Sequence, residues 1–271
     1  MMRKALVTGA GSGIGAAIAH ALDARGYHLI LVGRNETSLD AVAATLSSPP
    51  EKILCDLSSR ADVEALCETV RADHPDLDVL INNAGIGVPG AVADIDQDLI
   101  DRHLEVNLRA PIRLMRAIAP QMIARGSGSM VAMVSLGGII SLKDSATYSA
   151  SKFGLRGFLA GFHQEVAAKG VKISGVYPAA VDTPMLHHEA LHGGSVLNFI
   201  DRVLAPEEIA DATLKAIDTG KLEVYAPYSA SVTARFFSSF PWMIAPLLPL
   251  MEKIGEKGRL KFIAKKGFST E

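Results

Sequence analysis

Tyr148 and Lys152 stand four residues apart in the segment YSASK, and Ser135 ends an apolar run upstream of them. Residues four apart share one face of a helix, so a lysine ammonium can lie beside a tyrosine phenol. One positive charge about 5 Å away, at an effective dielectric of about 20, favours the phenolate by roughly 3 kcal/mol, or about two pKa units. The pattern predicts a tyrosine that exchanges protons with a substrate oxygen; the alternative is an ordinary helix-surface pair.

A glycine-rich segment near the start of the chain is the second informative feature. TGAGSGIG follows an apolar run and precedes a helical pattern, with glycines at Gly9, Gly13 and Gly15. Such glycines let the backbone approach a pyrophosphate at the positive N-terminus of a helix. The spacing G-x-x-x-G-x-G differs from the common G-x-G-x-x-G fingerprint, and a lone glycine-rich turn would be weak evidence.

Apolar strand-like runs alternate with helical patterns from Lys4 to Tyr225. Runs such as LILVG, DVLIN, MVAMVS and VKISGVY are continuous, as in strands buried on both faces of a sheet. The alternation predicts an α/β fold, a single doubly wound, mostly parallel, Rossmann-like sheet flanked by helices on both faces, with a C-terminal helical extension. We expect residues 1–227 to form the catalytic domain, with a substrate lid at about 184–203, and residues 228–271 to form an apolar and basic extension.

The polar and glycine-containing motifs share a position in this predicted fold. Each ends or directly follows a predicted strand, and ligands of doubly wound sheets bind beyond the carboxyl ends of the strands. The segments concerned are Thr8–Gly15, Gly33–Arg34, Asp56, Asn82–Gly85, Ser135 and Tyr177–Thr183. Because an ordinary structural origin would scatter such residues, their common location predicts one binding site.

The combined motifs closely resemble those of the short-chain dehydrogenase/reductase family over residues 3 to about 226. The resemblance rests on TGAGSGIG, NNAG at Asn82–Gly85, Asn107, Ser135 and YSASK. It implies an oxidoreductase that interconverts a carbonyl and an alcohol with a nicotinamide cofactor. Tyr148 would be the acid/base, Ser135 would hold the substrate oxygen, Lys152 would also bond the nicotinamide ribose, and Asn107 would anchor a water linking Lys152 to solvent.

The same resemblance implies a set of cofactor-binding residues. These are Gly9, Ser12, Gly13, Ile14, Gly15, Arg34, Asp56, Asn83, Ala84, Gly85, Tyr148, Lys152, Val181 and Thr183. In the family, the residue that matches Asp56 holds the adenine, and those matching Val181 and Thr183 hold the nicotinamide end. The chain departs from the family pattern at Pro178-Ala179, where members usually have Pro-Gly.

The end of the second predicted strand bears on the choice of cofactor. An acidic residue there would bind the ribose 2′-hydroxyl of NAD, but this chain has Gly33 followed by Arg34. Arginine pairs bidentately with phosphate, so we expect NADP, with NAD as the alternative. The competing interpretation is that Arg34 stacks on adenine or lies in solvent. Ser12 stands where some NADP-dependent relatives carry a basic residue, which favours that interpretation slightly.

Composition narrows the possible partners. A formal net charge of -2 offers no field that would attract nucleic acid, so we expect none as a partner. Cys55 and Cys67 lack metal-type spacing and are interpreted as reduced core thiols of a cytoplasmic protein. No segment is long and apolar enough to span a membrane.

Three other functions remain as alternatives. One is a serine hydrolase, but Ser135 lies in VSLGG and not in the G-x-S-x-G elbow of such enzymes. His188-Glu189-Ala190-Leu191-His192 matches the zinc motif H-E-x-x-H, but Gly193-Gly194 follow at once and we expect no metal site. A catalytically silent NADP(H)-binding sensor or scaffold would be indicated by loss of Tyr148 or Lys152, and both are present.

The C-terminal region suggests a hydrophobic substrate and contacts with a partner subunit or a membrane. RFFSSFPWMIAPLLPLM, at residues 235–251, is strongly apolar and is interrupted by Pro241, Pro246 and Pro249, and lysines follow it. It could close a substrate channel, cover a partner subunit or lie on an anionic membrane. We expect an enzyme that acts on a hydrophobic carbonyl or alcohol, with peripheral membrane contact as one alternative for this segment. The apolar helix that carries Tyr148 predicts a homodimer or homotetramer.

Overall fold

The computed structural model describes residues 2–268 and has the predicted doubly wound sheet. Seven parallel strands lie in the order β3-β2-β1-β4-β5-β6-β7. The strands are β1 Lys4–Thr8, β2 His28–Gly33, β3 Glu51–Leu54, β4 Val79–Asn82, β5 Gly128–Met133, β6 Val171–Pro178 and β7 Glu223–Ala226. Beyond β1 the strand order reverses toward β4, which creates the crevice where ligands of such sheets bind.

Helices cover both faces of the sheet. They are α1 Gly13–Asp23, α2 Glu36–Ala43, α3 Arg60–Asp73, α4 Gln97–Leu104, α5 Ala110–Arg125, α6 Ala146–Val166, α7 Pro184–His192, α8 Pro206–Thr219, α9 Tyr228–Ser239 and α10 Ile244–Lys266. Each face has its own buried apolar cluster, one around Leu114 and Leu155 and one around Ile18 and Ile209. Burial on both faces explains why the strands have continuous rather than alternating apolar sequences.

The C-terminal extension is more helical than its prolines predict. Pro241 opens a short 3₁₀ turn, but α10 continues through both Pro246 and Pro249. Pro246 lies in the first helical turn, where backbone N–H groups have no intrahelical partner, so it removes no hydrogen bond there. The expected interruption at Pro246 and Pro249 is therefore wrong. No helix within residues 2–268 is both long and apolar enough to cross a membrane.

The extension packs against the predicted lid. A 3₁₀ turn at Val196–Phe199 follows α7, and a methyl group on Gly255 or Gly258 of α10 would collide with the backbone of that turn. The Arg259 guanidinium donates to the Ala190 carbonyl at the end of α7, at 2.6 Å. The division at residue 227 and the role of residues 184–203 as a substrate lid stay predictions, and residues 269–271 of the extension lie outside the described residues.

Candidate active site

The predicted site residues meet in one cavity of about 930 Å³ at the carboxyl ends of the strands. Fourteen of the sixteen candidates line its wall: Gly9, Ser12, Gly13, Ile14, Arg34, Asp56, Asn83, Ala84, Gly85, Ser135, Tyr148, Lys152, Val181 and Thr183. Gly15 and Asn107 are buried behind that wall. The volume is typical of a site for a small molecule and its cofactor.

The glycine-rich turn presents the start of α1 to this cavity. Ser12 occupies the N-cap position, is exposed and makes no side-chain capping bond, so the first N–H groups of α1 stay available. Gly9 and Gly13 have positive φ angles of 65° and 53°, which a side chain rarely tolerates. A methyl group on Gly15 would collide with the Gly9 carbonyl. These features fit a diphosphate at the helix N-terminus.

Hydrogen bonds join this turn to the end of β4. The Thr8 hydroxyl accepts from the backbone N–H groups of Asn83 and Ala84 at 3.0 and 3.1 Å. The Asn83 amide donates to the carbonyls of Thr8 and Gly9 at 3.0 and 3.3 Å. The NNAG segment thus fixes the path of the glycine-rich turn, because backbone groups that lie outside the helices and strands find hydrogen-bond partners across the crevice.

The two ends of the cavity that the predicted cofactor residues line differ in polarity. The Asp56 carboxylate accepts from the backbone and hydroxyl of Ser58 at 2.9 and 2.8 Å, and these bonds hold its pKa below the usual value. Arg34 is exposed at the same end. At the other end, Val181 bridges to Leu204, and Thr183 lies against Gly13. Ala179, where family members usually have glycine, does not have a positive φ angle, so its side chain causes no backbone strain. Its N–H donates to the Ala226 carbonyl at 2.8 Å.

Ser135 has a strained backbone next to Tyr148. Its φ and ψ angles of 116° and 156° lie in a region that is almost restricted to glycine, at a cost of about 1–3 kcal/mol. Its hydroxyl accepts from the Gly137 N–H at 3.0 Å. A methyl group on Gly137 would lie 2.9 Å from Tyr148 Cε1 and 3.5 Å from Ser135 Oγ, so the serine and the phenol ring share one corner of the cavity.

The Tyr148 ring lies between two glycines. Gly137 faces Cε1, while on the other side a methyl group on Gly87 would lie 3.6 Å from Cε2. Burial raises the pKa of Tyr148 to about 12; the Ser135 hydroxyl opposes this shift and the Glu189 carboxylate adds to it. The expectation that Lys152 makes this phenol acidic is therefore not met by the protein's own groups. A Coulomb estimate at 5 Å omits the desolvation of the phenolate, which is larger here.

The Lys152 ammonium bonds to a backbone carbonyl and also lies near the Tyr148 ring. Its ammonium donates to the Met133 carbonyl at 2.9 Å and lies 5.7 Å from the centre of the Tyr148 ring. Only 4% of the residue is exposed, and burial lowers its pKa to about 8. The ammonium is consequently still mostly protonated at pH 7, and a small change of its surroundings would deprotonate it.

Asn107 organises the loop beside the lysine. It lies in a π-helical turn, Glu105–Arg109, between α4 and α5. Its amide accepts from the Ile86 N–H at 2.8 Å, donates to the Ile86 carbonyl at 2.9 Å and donates to the Ser151 hydroxyl at 3.1 Å. A methyl group on Gly85 would lie 3.2 Å from the Asn107 carbonyl and 3.5 Å from the Lys152 ammonium. Asn107 therefore holds the backbone that covers Lys152, and its role toward a water stays a prediction.

Sequence reasoning missed three cavity residues. Gly87 and Gly137 enclose the Tyr148 ring, and Glu189 approaches it from α7. In the sequence, Glu189 is conspicuous only as part of H-E-x-x-H. In the structure the His188 and His192 rings lie 4.7 Å apart on exposed positions, and residues 2–268 contain no group of three side chains suited to a metal. The Glu189 carboxylate instead accepts from the Asn198 amide at 2.9 Å.

Comparison with known proteins gives the family. The family model described as short chain dehydrogenase matches residues 3–192. The chain belongs to the short-chain dehydrogenase family. An uncharacterized oxidoreductase of Staphylococcus epidermidis is 30% identical over 79% of this chain and 90% of its own.

Solved structures of family members are also similar to this chain. A short-chain dehydrogenase from Sphingobium yanoikuyae in complex with NADPH has a TM-score of 0.78 and 29% identity, covering 89% of this chain and 95% of its own. A bulky-bulky ketone specific alcohol dehydrogenase from Comamonas testosteroni has a TM-score of 0.75 and 28% identity, covering 90% and 94%. The protein is thus a short-chain dehydrogenase/reductase enzyme with a Rossmann-like fold.

Proposed function

We propose that this short-chain dehydrogenase interconverts a carbonyl and an alcohol with NADP(H), and that Tyr148 is its acid/base. The observation that carries the proposal is the juxtaposition of the Tyr148 ring, the Ser135 hydroxyl and the Lys152 ammonium at one end of the cavity, with the glycine-rich turn lining the same cavity. When bound, a nicotinamide supplies or accepts the hydride. The N-terminus of α1 would hold its diphosphate, and Asp56, Val181 and Thr183 would flank its two ends.

The protonation state of Tyr148 suits carbonyl reduction. A phenol with a pKa of about 12 is protonated at pH 7 and can donate its proton to the carbonyl oxygen as the hydride reaches the carbonyl carbon. Ser135 would donate a hydrogen bond to the same oxygen. The Lys152 ammonium would then stabilise the phenolate that remains, and solvent would return the proton to Tyr148.

We expect Tyr148→Phe to lower kcat for ketone reduction by roughly 10²- to 10⁴-fold, because the proton donor is lost while the ring still fills its place. Tyr228→Phe is the matched control, since Tyr228 is 63% exposed on α9, and should keep full activity. The measurement is NADPH oxidation with a panel of ketones and aldehydes of increasing chain length. Full activity of Tyr148→Phe would contradict the proposal, and NADP(H) binding without turnover of any carbonyl would support the sensor or scaffold alternative.

The preference for NADP over NAD is proposed from the end of β2. Gly33 leaves that position without a carboxylate, and the exposed Arg34 guanidinium lines the cavity beside it. Two solved relatives, the Sphingobium yanoikuyae enzyme and a metagenomic short-chain oxidoreductase, are complexes with NADPH and NADP. An arginine can pair with the 2′-phosphate that distinguishes these cofactors from NAD.

We expect Arg34→Asp to weaken NADPH binding at least about tenfold relative to NADH, because it replaces attraction of the phosphate by repulsion. Arg34→Lys should retain most of the preference, since it keeps the charge. The dissociation constants of both cofactors measured for the three proteins test this. If Arg34→Asp left the ratio of the two constants unchanged, Arg34 would not be the selecting residue.

The substrate side of the cavity supports a hydrophobic substrate. Beyond the catalytic residues the wall is formed mainly by apolar side chains of several elements. They include Leu136, Ile140, Leu142, Met185, Leu197 and Phe237. An apolar lining binds ligands by removing their surface from water, so an extended or bulky carbonyl compound is the proposed class.

Peripheral membrane contact is proposed for the apolar C-terminal surface, which comprises the exposed side chains of α9, the turn after it and the first half of α10. These are Tyr228, Val232, Phe236, Phe240, Trp242, Leu247, Leu250 and Ile254. Lysines 253, 257, 261 and 265 follow on α10 and are exposed. Aromatic and aliphatic residues beside a row of lysines are the composition of a segment that lies in the interface of an anionic bilayer.

Trp242 is the only tryptophan of the chain and is 69% exposed, so its fluorescence reports directly on this contact. We expect its emission to shift to the blue with vesicles that contain phosphatidylserine, and to shift less with phosphatidylcholine alone. Leu250→Glu should abolish the shift. Leu54→Glu, at an exposed position of the edge strand β3, should leave it unchanged. Membrane contact would be contradicted if the emission did not shift and the protein did not sediment together with the vesicles.

A homodimer or homotetramer is proposed to form through α6. Phe153 is 38% exposed on this helix, and Gly157 and Gly161 follow on its exposed side. A methyl group on either glycine would meet nothing within 4 Å in the single chain. Glycine inside a helix costs roughly 1 kcal/mol relative to alanine, so close approach of the same helix of a second copy would explain both residues.

Sedimentation should therefore give at least twice the mass of one chain for the wild-type protein. We expect Gly157→Gln to shift the protein toward the monomer, because its side chain would enter the helix contact. Glu165→Ala, an exposed position near the end of the same helix, is the control and should not change the mass. A monomeric wild-type protein at micromolar concentration would contradict pairing through α6.

A further inference from the structure

The inner wall of the cavity contains a carboxyl group that proton transfer and hydride transfer do not require. Glu189 lies on α7 and lines the same cavity as Ser135, Tyr148 and Lys152. A methyl group on Gly87 would lie 3.4 Å from Glu189 Oε1 and 3.6 Å from Tyr148 Cε2. The carboxyl and the edge of the phenol ring therefore border the same small space.

One oxygen of this carboxyl is fixed and the other is free. Oε2 accepts from the Asn198 amide at 2.9 Å, which orients the side chain. Within residues 2–268, Oε1 has no hydrogen-bond partner, and Glu189 forms no salt bridge with a lysine, arginine or histidine. A carboxyl in this state lacks a partner for the oxygen that borders the Tyr148 side of the cavity.

The Glu189 carboxyl is unusual in a largely apolar cavity wall unless a ligand bonds to it. Burial raises the pKa of Glu189 to about 7, with the Asn198 hydrogen bond opposing the shift. Because Oε1 faces the cavity without a protein partner, only water or a polar group of a ligand can bond it there, whereas an apolar side chain would match the rest of this wall. A perturbed carboxyl in a cleft beside reactive groups is typical of a functional site.

We propose that Glu189, oriented by Asn198, is a second polar binding point for the substrate, and that the substrate is a ketone with a hydroxyl group near its carbonyl, or the corresponding diol. Tyr148 and Ser135 would hold the reacting oxygen, and Glu189 Oε1 would bond the second oxygen. A hydroxyl fits both protonation states, because it donates to a carboxylate and accepts from a carboxylic acid. The inference rests on the proposed carbonyl reduction and adds the substrate class.

A pair of ketones that differ only in one hydroxyl group tests this inference. Straight-chain methyl ketones are compared with the same ketones bearing a hydroxyl on the carbon next to the carbonyl or one carbon further along. We expect wild-type kcat/KM to be about 10- to 100-fold higher for a hydroxylated member, the range of one hydrogen bond to a charged or strongly polar group. Glu189→Leu should remove this preference, so that kcat/KM becomes the same for the hydroxylated and the plain ketone of a pair.

Two further variants separate binding from folding. Glu189→Gln retains a hydrogen-bonding group and should keep part of the preference, mainly through KM. His192→Gln changes an exposed residue of the same helix and should behave as wild type. Calorimetric binding of the hydroxylated ketone to the NADP⁺ complex should be weakened by Glu189→Leu to the same degree as KM.

The outcomes distinguish the two levels of the proposal. If the wild-type enzyme reduces neither ketone of any pair, the proposed carbonyl reduction fails. If it reduces the plain ketones with no preference for a hydroxyl, or if Glu189→Leu retains the preference, carbonyl reduction stands and the role of Glu189 is overturned. A preference that is lost in Glu189→Leu and partly kept in Glu189→Gln supports it.

Discussion

The enclosure of the Tyr148 ring between Gly87 and Gly137 is the constraint on which the rest of the site depends. Gly137 permits backbone to approach Cε1 where a methyl group would collide with the ring, and Gly87 faces Cε2 at a distance where a methyl group would just touch it. Burial of the phenol outweighs the hydrogen bond from Ser135, so the pKa of Tyr148 rises to about 12. The protein's own groups therefore keep the Tyr148 phenol protonated at neutral pH, which is the state that the proposed carbonyl reduction requires.

The cavity wall is kept in place by bonds between segments that are far apart in sequence. Thr8 ties the glycine-rich turn to Asn83, and Asn107 ties Ile86 to α6 through Ser151. Each bond adds about 0.5–1.5 kcal/mol to stability, but its loss would leave a buried backbone group unpaired at greater cost. The strained backbone of Ser135 persists because β5 and the packed helices around it determine its position. Strain and rigidity are therefore located at the groups that are proposed to contact the substrate.

Much of this arrangement follows from the sequence alone. Continuous apolar runs predict the strands, and the rule that ligands bind beyond their carboxyl ends places Ser135, Tyr148 and the glycine-rich turn together. What escaped prediction depends on contacts across long sequence distances. The sign of the Tyr148 pKa shift depends on how deeply the folded chain buries the phenol, which no local pattern reveals. The π-helical turn at Asn107 and the passage of α10 through Pro249 are likewise decided by tertiary packing, which overrides local propensity.

The C-terminal extension packs against the turn that orients Glu189 in the cavity wall. Gly255 and Gly258 allow α10 to touch the backbone of the 3₁₀ turn at Val196–Phe199, and Phe262 packs against Phe199 with ring centres 5.4 Å apart. Asn198, which orients Glu189, belongs to that turn. A displacement of α10 would consequently move the Asn198 amide and release the carboxyl it holds. The polar wall of the cavity thus depends on how the extension is packed, although the extension contributes no group to proton transfer.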